Sequence, residues 1–222
     1  MLKKILILFI ISLRSLTISA QQMPVPKGYE VLDTVSGDLD HDGKKELVIA
    51  YNTAKTDDPN ESIPRALIIY KLQGKEWTVW KKSEQALYGS RDGGMMGDPF
   101  GEIEIKSGIL LISQNGGSSW KWGHTDKYRF QNGEFYLIGY VGTYGKPCEY
   151  WTDEDFNLST GKLVVKKEYE TCKNGEQEIN KQENETVFKK GIKITLQNRS
   201  EKEIKIVTPK YKHEVYVAVK NE

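Results

Sequence analysis

Gly37-Asp38-Leu39-Asp40-His41-Asp42-Gly43-Lys44-Lys45-Glu46-Leu47-Val48-Ile49-Ala50 sets three carboxylates at alternate positions and a glycine directly after the third. It then runs through a fourth carboxylate into a β-branched apolar stretch. Alternate carboxylates with a glycine turn are how a short loop surrounds a hard cation with oxygens. Asp38, Asp40 and Asp42 take loop positions 1, 3 and 5 of an EF-hand, Gly43 takes position 6 and the Lys44 carbonyl position 7. The second half departs. Ile49 stands where an EF-hand carries its bidentate glutamate, which leaves Glu46 as the substitute. Leu47-Val48-Ile49 predicts that a strand, not a helix, leaves the loop. The expectation is a Ca²⁺ site made by Asp38, Asp40, Asp42, Lys44 and Glu46. The alternative is an Asx-rich turn held by its own side-chain hydrogen bonds.

Working outward, the chain reads as short strands with glycine punctuation. Residues 65–73 hold the apolar run Ala66-Leu67-Ile68-Ile69-Tyr70. A turn at Gln73-Gly74-Lys75-Glu76 leads back through Trp77-Thr78-Val79-Trp80. Residues 102–106 alternate polar and apolar, Ser107-Gly108 turns, and residues 109–113 return. Asn132-Gly133, between Tyr128-Arg129-Phe130 and Phe135-Tyr136-Leu137, is a strong hairpin signal. Residues 89–101 read as a long ordered loop. Residues 162–171 alternate again, and residues 174–184 look solvent-exposed. Two last strands are expected near 186–196 and 212–220. The fold class is therefore all-β with antiparallel sheets, a sandwich or a partial propeller-like stack. Residues 21–222 form a single β-domain, with 170–222 either edge strands of it or a peripheral extension.

At the amino terminus Lys3 and Lys4 precede an apolar run over residues 5–11, and Ile18-Ser19-Ala20 is a small-residue cleavage pattern. This reads as a secretory signal peptide over residues 1–20. Arg14 interrupts the apolar run well short of the roughly 20 residues of a membrane span, and no second apolar stretch approaches that length. The 222 residues carry a formal charge of +1, and losing Lys3, Lys4 and Arg14 leaves −2. Near-neutral charge argues against nucleic acid or an anionic membrane as the main partner. Export, to the periplasm or beyond the cell, makes the compartment oxidising. The two cysteines, Cys148 and Cys172, then pair as a disulfide that stabilises by about 3–4 kcal/mol in the chain-entropy model. A free thiol pair or a metal site are the alternatives.

The acidic loop and its following strand resemble the calcium loops of FG-GAP and VCBS-type repeats, in which Asp-x-Asp-x-Asp-Gly-x-x-Glu-Leu precedes a strand. The order of motifs over residues 37–140 is similar to that of small exported Bacteroidota proteins described only as repeat-containing. The resemblance implies an exported β-protein whose cation fixes a loop and does no chemistry. It implies no activity. Such repeats occur in arrays that build propeller blades, and this chain has one clear copy. Asp153-Glu154-Asp155-Phe156-Asn157 lacks the glycine and residues 57–61 contain a proline, so a complete propeller is not expected.

Gly116-Gly117-Ser118-Ser119-Trp120-Lys121-Trp122 is the best candidate for a ligand surface. Trp120 and Trp122 stand two apart, so a strand turns both to one face, either into the core or toward a ligand. The glycine pair suits a bulge or a close backbone approach. Catalytic patterns are weak. His41, His124 and His213 are scattered, no Gly-x-Ser-x-Gly occurs, and Glu102 and Glu104 fit the solvated face of a strand. The reading is a non-enzymatic, Ca²⁺-stabilised module that binds a glycan or another protein, with Trp120 and Trp122 first among the contacts. A secreted hydrolase would need a cleft joining Ser118 or the Asp98 region to His124. A structural or inhibitor-type protein would keep its aromatics in the core.

Overall fold

Every long element in the computed structural model is a strand, and two 3-10 turns are the exceptions among the described residues. These are residues 22–54, 56, 58, 60–173 and 176–219; the expected signal segment lies outside them. Strands β1 (Glu30–Gly37), β2 (Glu46–Asn52), β3 (Arg65–Gln73) and β4 (Glu76–Ser83) form a four-stranded antiparallel sheet in chain order. The apolar runs of β2 and β3 are continuous because both faces of this sheet are covered. Val48, Ala50, Leu67 and Ile69 face the main core, while Ile49, Tyr51, Ala66, Ile68 and Tyr70 form a second cluster. Tyr51 Oη lies 3.1 Å from Tyr70 Oη, so a strongly apolar layer still satisfies its hydroxyls.

The second sheet is a seven-stranded meander. It runs β5 (Phe100–Lys106), β6 (Ile109–Gly117), β7 (Lys121–Gln131), β8 (Glu134–Lys146), β9 (Tyr150–Asn157), β10 (Lys162–Lys173) and β11 (Glu176–Phe188), each antiparallel to the next. Its tight turns have the required chemistry. Asn132 (φ 52°) and Gly133 (φ 84°) both take positive φ between β7 and β8, as a twisted two-residue hairpin demands. The sheet does not close into a barrel. Instead β5 docks on β1, where Ile103 N donates to Asp33 Oδ2 at 3.1 Å. A Cβ on Gly37 would stand 2.6 Å from Ile105 Cγ2, so that contact needs a residue without a side chain. The result is an all-β antiparallel sandwich.

The two sheets share one core. Leu39, Val48 and Leu67 meet Leu110, Ile112, Tyr128, Phe135, Phe156 and Leu163 across it. Each such fully buried side chain stabilises by roughly 1.5–3 kcal/mol relative to exposure. Residues 176–184, read from sequence as an exposed stretch, do keep their side chains mostly in solvent, but they form the first part of β11. The chain then crosses the inner face. Leu137 N donates to Ile194 O at 2.9 Å, and Ser83 Oγ donates to Leu196 O at 2.5 Å. A hairpin of β12 (Ile204–Val207) and β13 (Glu214–Ala218) follows. Ile194, Leu196, Ile206, Val215 and Val217 join the common core, so the carboxy-terminal segment belongs to the body of the fold.

Cys148 and Cys172 form a disulfide with a Cα–Cα separation of 5.2 Å. It fastens the β8–β9 turn to the end of β10.

Candidate functional site

Two places concentrate chemistry. The first is the β1–β2 loop. Donor oxygens of Asp38, Asp40 and Asp42 all lie within 4.8 Å of one another. The backbone reverses through His41 (φ 62°) and Gly43 (φ 84°), which directs successive amides inward. Gly43 N donates to Asp38 Oδ2 at 3.0 Å, Lys44 N to Asp42 Oδ1 at 2.8 Å, and Asp42 N to Asp40 Oδ1 at 3.3 Å. Glu46 is 1% exposed and accepts from Leu39 N at 2.8 Å, which closes the loop. The His41 ring packs over Gly108, so the loop is anchored to the β5–β6 turn of the other sheet.

These residues fit a cation. Asp38 Oδ1 is buried and accepts no hydrogen bond, which is the condition a metal ion would relieve. The loop also has a cation of its own. Lys71 Nζ, on β3, donates to Asp40 and lies 3.8 Å from Glu46. Lys44 enters through its amide to Asp42.

The second place is a cavity of about 820 Å³ between the inner face of the large sheet and the carboxy-terminal hairpin. Strand register explains its composition. Directly cross-strand residues share a face, so Val165, Glu154, Gly142, His124 and Gln114 form one row across β10 to β6. Lys167, Thr152, Tyr144, Trp122 and Gly116 form the next. The row on the far side, with Leu163, Phe156 and Tyr140, is core. The inner face thus grades along the strands from packed hydrocarbon to rings and polar groups, and the cavity occupies the polar end.

Rings dominate the wall. Trp122 lies edge-to-face with Tyr88 (5.4 Å) and stacks near His124 (5.9 Å), and His124 stacks near Tyr140 (5.8 Å). Farther along, Tyr150 lies 6.4 Å from Tyr144 and 6.1 Å from Tyr169, with Lys167 Nζ 3.5 Å above the Tyr150 ring. Tyr211 and Tyr216 come from the tail. Glycines make the space. A Cβ on Gly116 would meet Trp122 Cζ2 at 2.6 Å and Gly93 Cα at 2.8 Å, so this glycine of the pair lets the indole and the 89–101 loop close over the sheet. A Cβ on Gly142 would meet the Tyr140 hydroxyl at 2.6 Å.

The charges are unevenly satisfied. Arg199 crosses from the tail to Asp126 with Nε–Oδ2 at 2.5 Å and Nη2–Oδ1 at 3.1 Å, and Tyr128 Oη donates to the same carboxylate at 3.1 Å. The turn between β12 and β13 is tied down by β11, where Glu185 accepts from Lys210 N (2.8 Å) and Tyr211 N (3.1 Å). His213 Nε2 lies 3.1 Å from Glu183 Oε2, close enough for an ion pair but not aligned as a hydrogen bond. Burial pushes the His124 imidazole down to about 4, with Asp126 opposing and Arg199 adding to the shift. Burial, with the neighbouring charge of Asp153, pushes the Glu154 carboxyl up to about 7.

Of the residues expected from sequence, Trp122 lines the cavity. Trp120 stands just before β7, outside the lining, and supports it by stacking on Tyr144 (5.4 Å, nearly parallel) and against Tyr150 (4.9 Å). Ser118 is exposed at the β6–β7 turn, and Asp98 is held by Arg65 at 2.7 Å. Neither lines the cavity. Glu154, Tyr88, Tyr140, Arg199 and the tail tyrosines went unread. One local signal for Glu154 existed. In Tyr150-Trp151-Thr152-Asp153-Glu154-Asp155-Phe156 the period of two turns Glu154 to the same side as Phe156, away from both aspartates.

Among the described residues no helix is long and apolar enough to cross a membrane. Compared with known proteins, the chain matches no family model and no curated sequence significantly.

Proposed function

We propose that this chain is an exported, non-catalytic binding module that takes a saccharide into the cavity between its large sheet and its carboxy-terminal hairpin, with Ca²⁺ as a structural ion in the Asp38–Glu46 loop. One observation carries the reading: an 820 Å³ concavity whose wall alternates aromatic rings with hydrogen-bonding groups. That volume falls within the roughly 300–1,000 Å³ of small-molecule sites. Trp122, Tyr88 and Tyr144 offer ring faces and edges on which a pyranose stacks, and Thr143, Thr152 and Glu154 line the same space for hydroxyls. Concavity favours a small ligand over a protein partner, whose interface needs a broad complementary patch. Export is supported by the amino-terminal pattern and by the disulfide.

The experiment is a glycan array probed with the secreted form of the chain, followed by calorimetry on the responding sugar. Trp122→Ala is expected to weaken binding about tenfold, which is about 1.4 kcal/mol of lost stacking. Trp120→Ala should weaken it less, because it acts through Tyr144 and Tyr150. An array without a response, or a Trp122→Ala variant that binds as wild type does, overturns the reading.

A further inference from the structure

We infer that the ligand of this cavity carries a positively charged nitrogen that seats against Glu154, so that the sugar is an amino sugar and not a neutral one. The inference rests on the saccharide reading above and narrows it.

The ground is an imbalance among buried acids. Five carboxylates are buried among the described residues: Glu46, Asp126, Glu154, Glu183 and Glu185. Four have partners. Glu46 accepts from Leu39 N, Asp126 from Arg199 and Tyr128, Glu183 from Tyr169 and Glu185 from two backbone amides. Glu154 is 8% exposed, lines the cavity, and has no hydrogen bond or ion pair with any described residue. Its oxygens open on the cavity and are not sealed in the interior, so what they lack is a donor from the fold. At a cavity wall it is a group waiting for a ligand's donor.

None of the described cations that line the cavity, Arg199, Lys167 and Lys212, is bonded to it. Arg199 is committed to Asp126 by two hydrogen bonds. Lys167 starts on the adjacent strand, but its ammonium lies over the rings of Tyr150 (3.5 Å) and Tyr169 (5.1 Å). That arrangement also demonstrates that this aromatic wall accepts an ammonium group. Its cross-strand neighbour Gly142 has no side chain, and the Tyr140 ring lies where a Cβ there would stand, so a tyrosine ring borders Glu154 on that side. A ligand nitrogen there would meet the carboxylate as a charge-assisted partner with tyrosine rings on its flank.

The other groups facing this point do not compete. His124, on β7, is held neutral, and Tyr140, on β8, donates to the Tyr216 carbonyl at 3.3 Å. His213, from the tail, is kept from charging by burial and lies 3.1 Å from Glu183, and Asp153 points to solvent from the opposite face of β9. Because burial holds the Glu154 proton up to about 7, a cation seating there at pH 6.5 displaces it, and binding releases a proton.

The test uses three β-1,4 disaccharides of one ring skeleton: the glucosamine dimer, its N,N′-diacetyl form and cellobiose. Each is titrated calorimetrically at pH 6.5 into wild type, Glu154→Gln and Trp122→Ala. Wild type is expected to bind the glucosamine dimer at least tenfold tighter than the two neutral sugars. The heat of that binding alone should vary with the buffer's ionisation enthalpy, which reports the released proton and needs no variant. Glu154→Gln should bind all three alike while melting cooperatively; Trp122→Ala should weaken all three in proportion. Equal affinities in wild type, a preference that survives Glu154→Gln, or a heat independent of buffer overturns the inference. Binding confined to the neutral sugars overturns it and leaves the saccharide reading standing. Binding of none overturns it too, and the array then decides the saccharide reading separately.

Discussion

At the β1–β2 loop, Asp38, Asp40, Asp42 and Glu46 crowd together, yet each meets a backbone amide or the Lys71 ammonium. In the cavity, Glu154 stands among rings and has no hydrogen bond or ion pair with any described residue. The first arrangement is local. It is finished within ten residues apart from Lys71, and its task is to hold a turn against the β5–β6 hairpin. The second is assembled from β7, β8, β9, β10 and the tail, and it leaves one buried acid without a partner among the described residues. Evolution of a stable fold favours the first kind of site anywhere. The second kind does nothing to hold the fold together, and that is the ground for proposing a ligand there. Partnered carboxylates are therefore the weaker ground for a functional proposal here, and the one buried carboxylate left unpartnered among the described residues is the stronger.

The largest effect should come from cutting the tail from the sheet. Arg199→Ala strands the Asp126 carboxylate in the core, and breaking a buried pair in this way costs about 3–5 kcal/mol. Urea unfolding should give a midpoint lowered accordingly. Saccharide binding should be lost, because Arg199 fixes the segment that roofs the cavity. The loop's response to Ca²⁺ should survive at temperatures where the variant is folded. If binding persists, the tail is not what encloses the cavity, and the contrast between a local and an assembled site fails.

A finer test separates the two titrating groups of the cavity. Native Glu154 keeps its proton up to about 7, whereas the unfolded chain releases it near 4.5. Between these values the native state binds more protons, so stability falls as pH rises, by about 3 kcal/mol across the window. His124 has the opposite sign. It is neutral in the native state down to about 4 and protonates near 6.5 when unfolded, so its contribution rises with pH over that range. Its size is similar, since the two groups shift by about the same amount in opposite directions. The two slopes oppose between pH 4.5 and 6.5, and this pair should leave wild type nearly flat there. Glu154→Gln should expose a stability that rises with pH and exceed wild type at pH 8, by up to about 3 kcal/mol. His124→Gln should expose a stability that falls. Parallel urea titrations from pH 4.5 to 8 decide it; the same slope in both variants would mean that neither group carries the assigned shift.

How much of this was written in the linear sequence follows from the range of each interaction. The Asp38–Glu46 loop and the Asn132-Gly133 hairpin depend on neighbours within a few residues, so their spacing is enough to read them. So were the continuous apolar strands β2 and β3, which are buried on both sides. The cavity was not, because its rows exist only once five strands, β6 to β10, are in register. Tyr144 and Trp122 stand more than twenty residues apart before β7 and β8 pair. Arg199 is 73 residues from Asp126. Trp120 and Trp122 were legible as a pair but not as a division of labour, since the strand begins between them and only Trp122 reaches the lining. The carboxy-terminal hairpin is short and mixed in composition, and its apolar residues reveal their role only against the sheet.

The smallest expected effect concerns the loop, and Lys71 makes it sharp. A metal that binds only the folded state raises stability by about 2.7 kcal/mol at one hundred times its dissociation constant. Wild type should therefore melt several degrees higher in Ca²⁺ than in EGTA, and Asp40→Ala should melt alike in both. Lys71 competes for the same oxygens, since its ammonium bonds Asp40 and approaches Glu46 while lying over Trp80, 4.0 Å from the ring centre. Lys71→Met keeps the stem and removes the resident cation. It should be less stable than wild type in EGTA, where four carboxylates are left facing one another, and should recover at a lower Ca²⁺ concentration than wild type requires. Calcium titrations of the melting temperature measure both. If wild type and Lys71→Met ignore Ca²⁺ alike, Lys71 is itself the loop's cation, and the acidic segment is a turn closed by side chains alone. In that case the orphaned Asp38 Oδ1 would belong with Glu154 as a second unsatisfied oxygen, and the contrast between the two regions would narrow to one of depth.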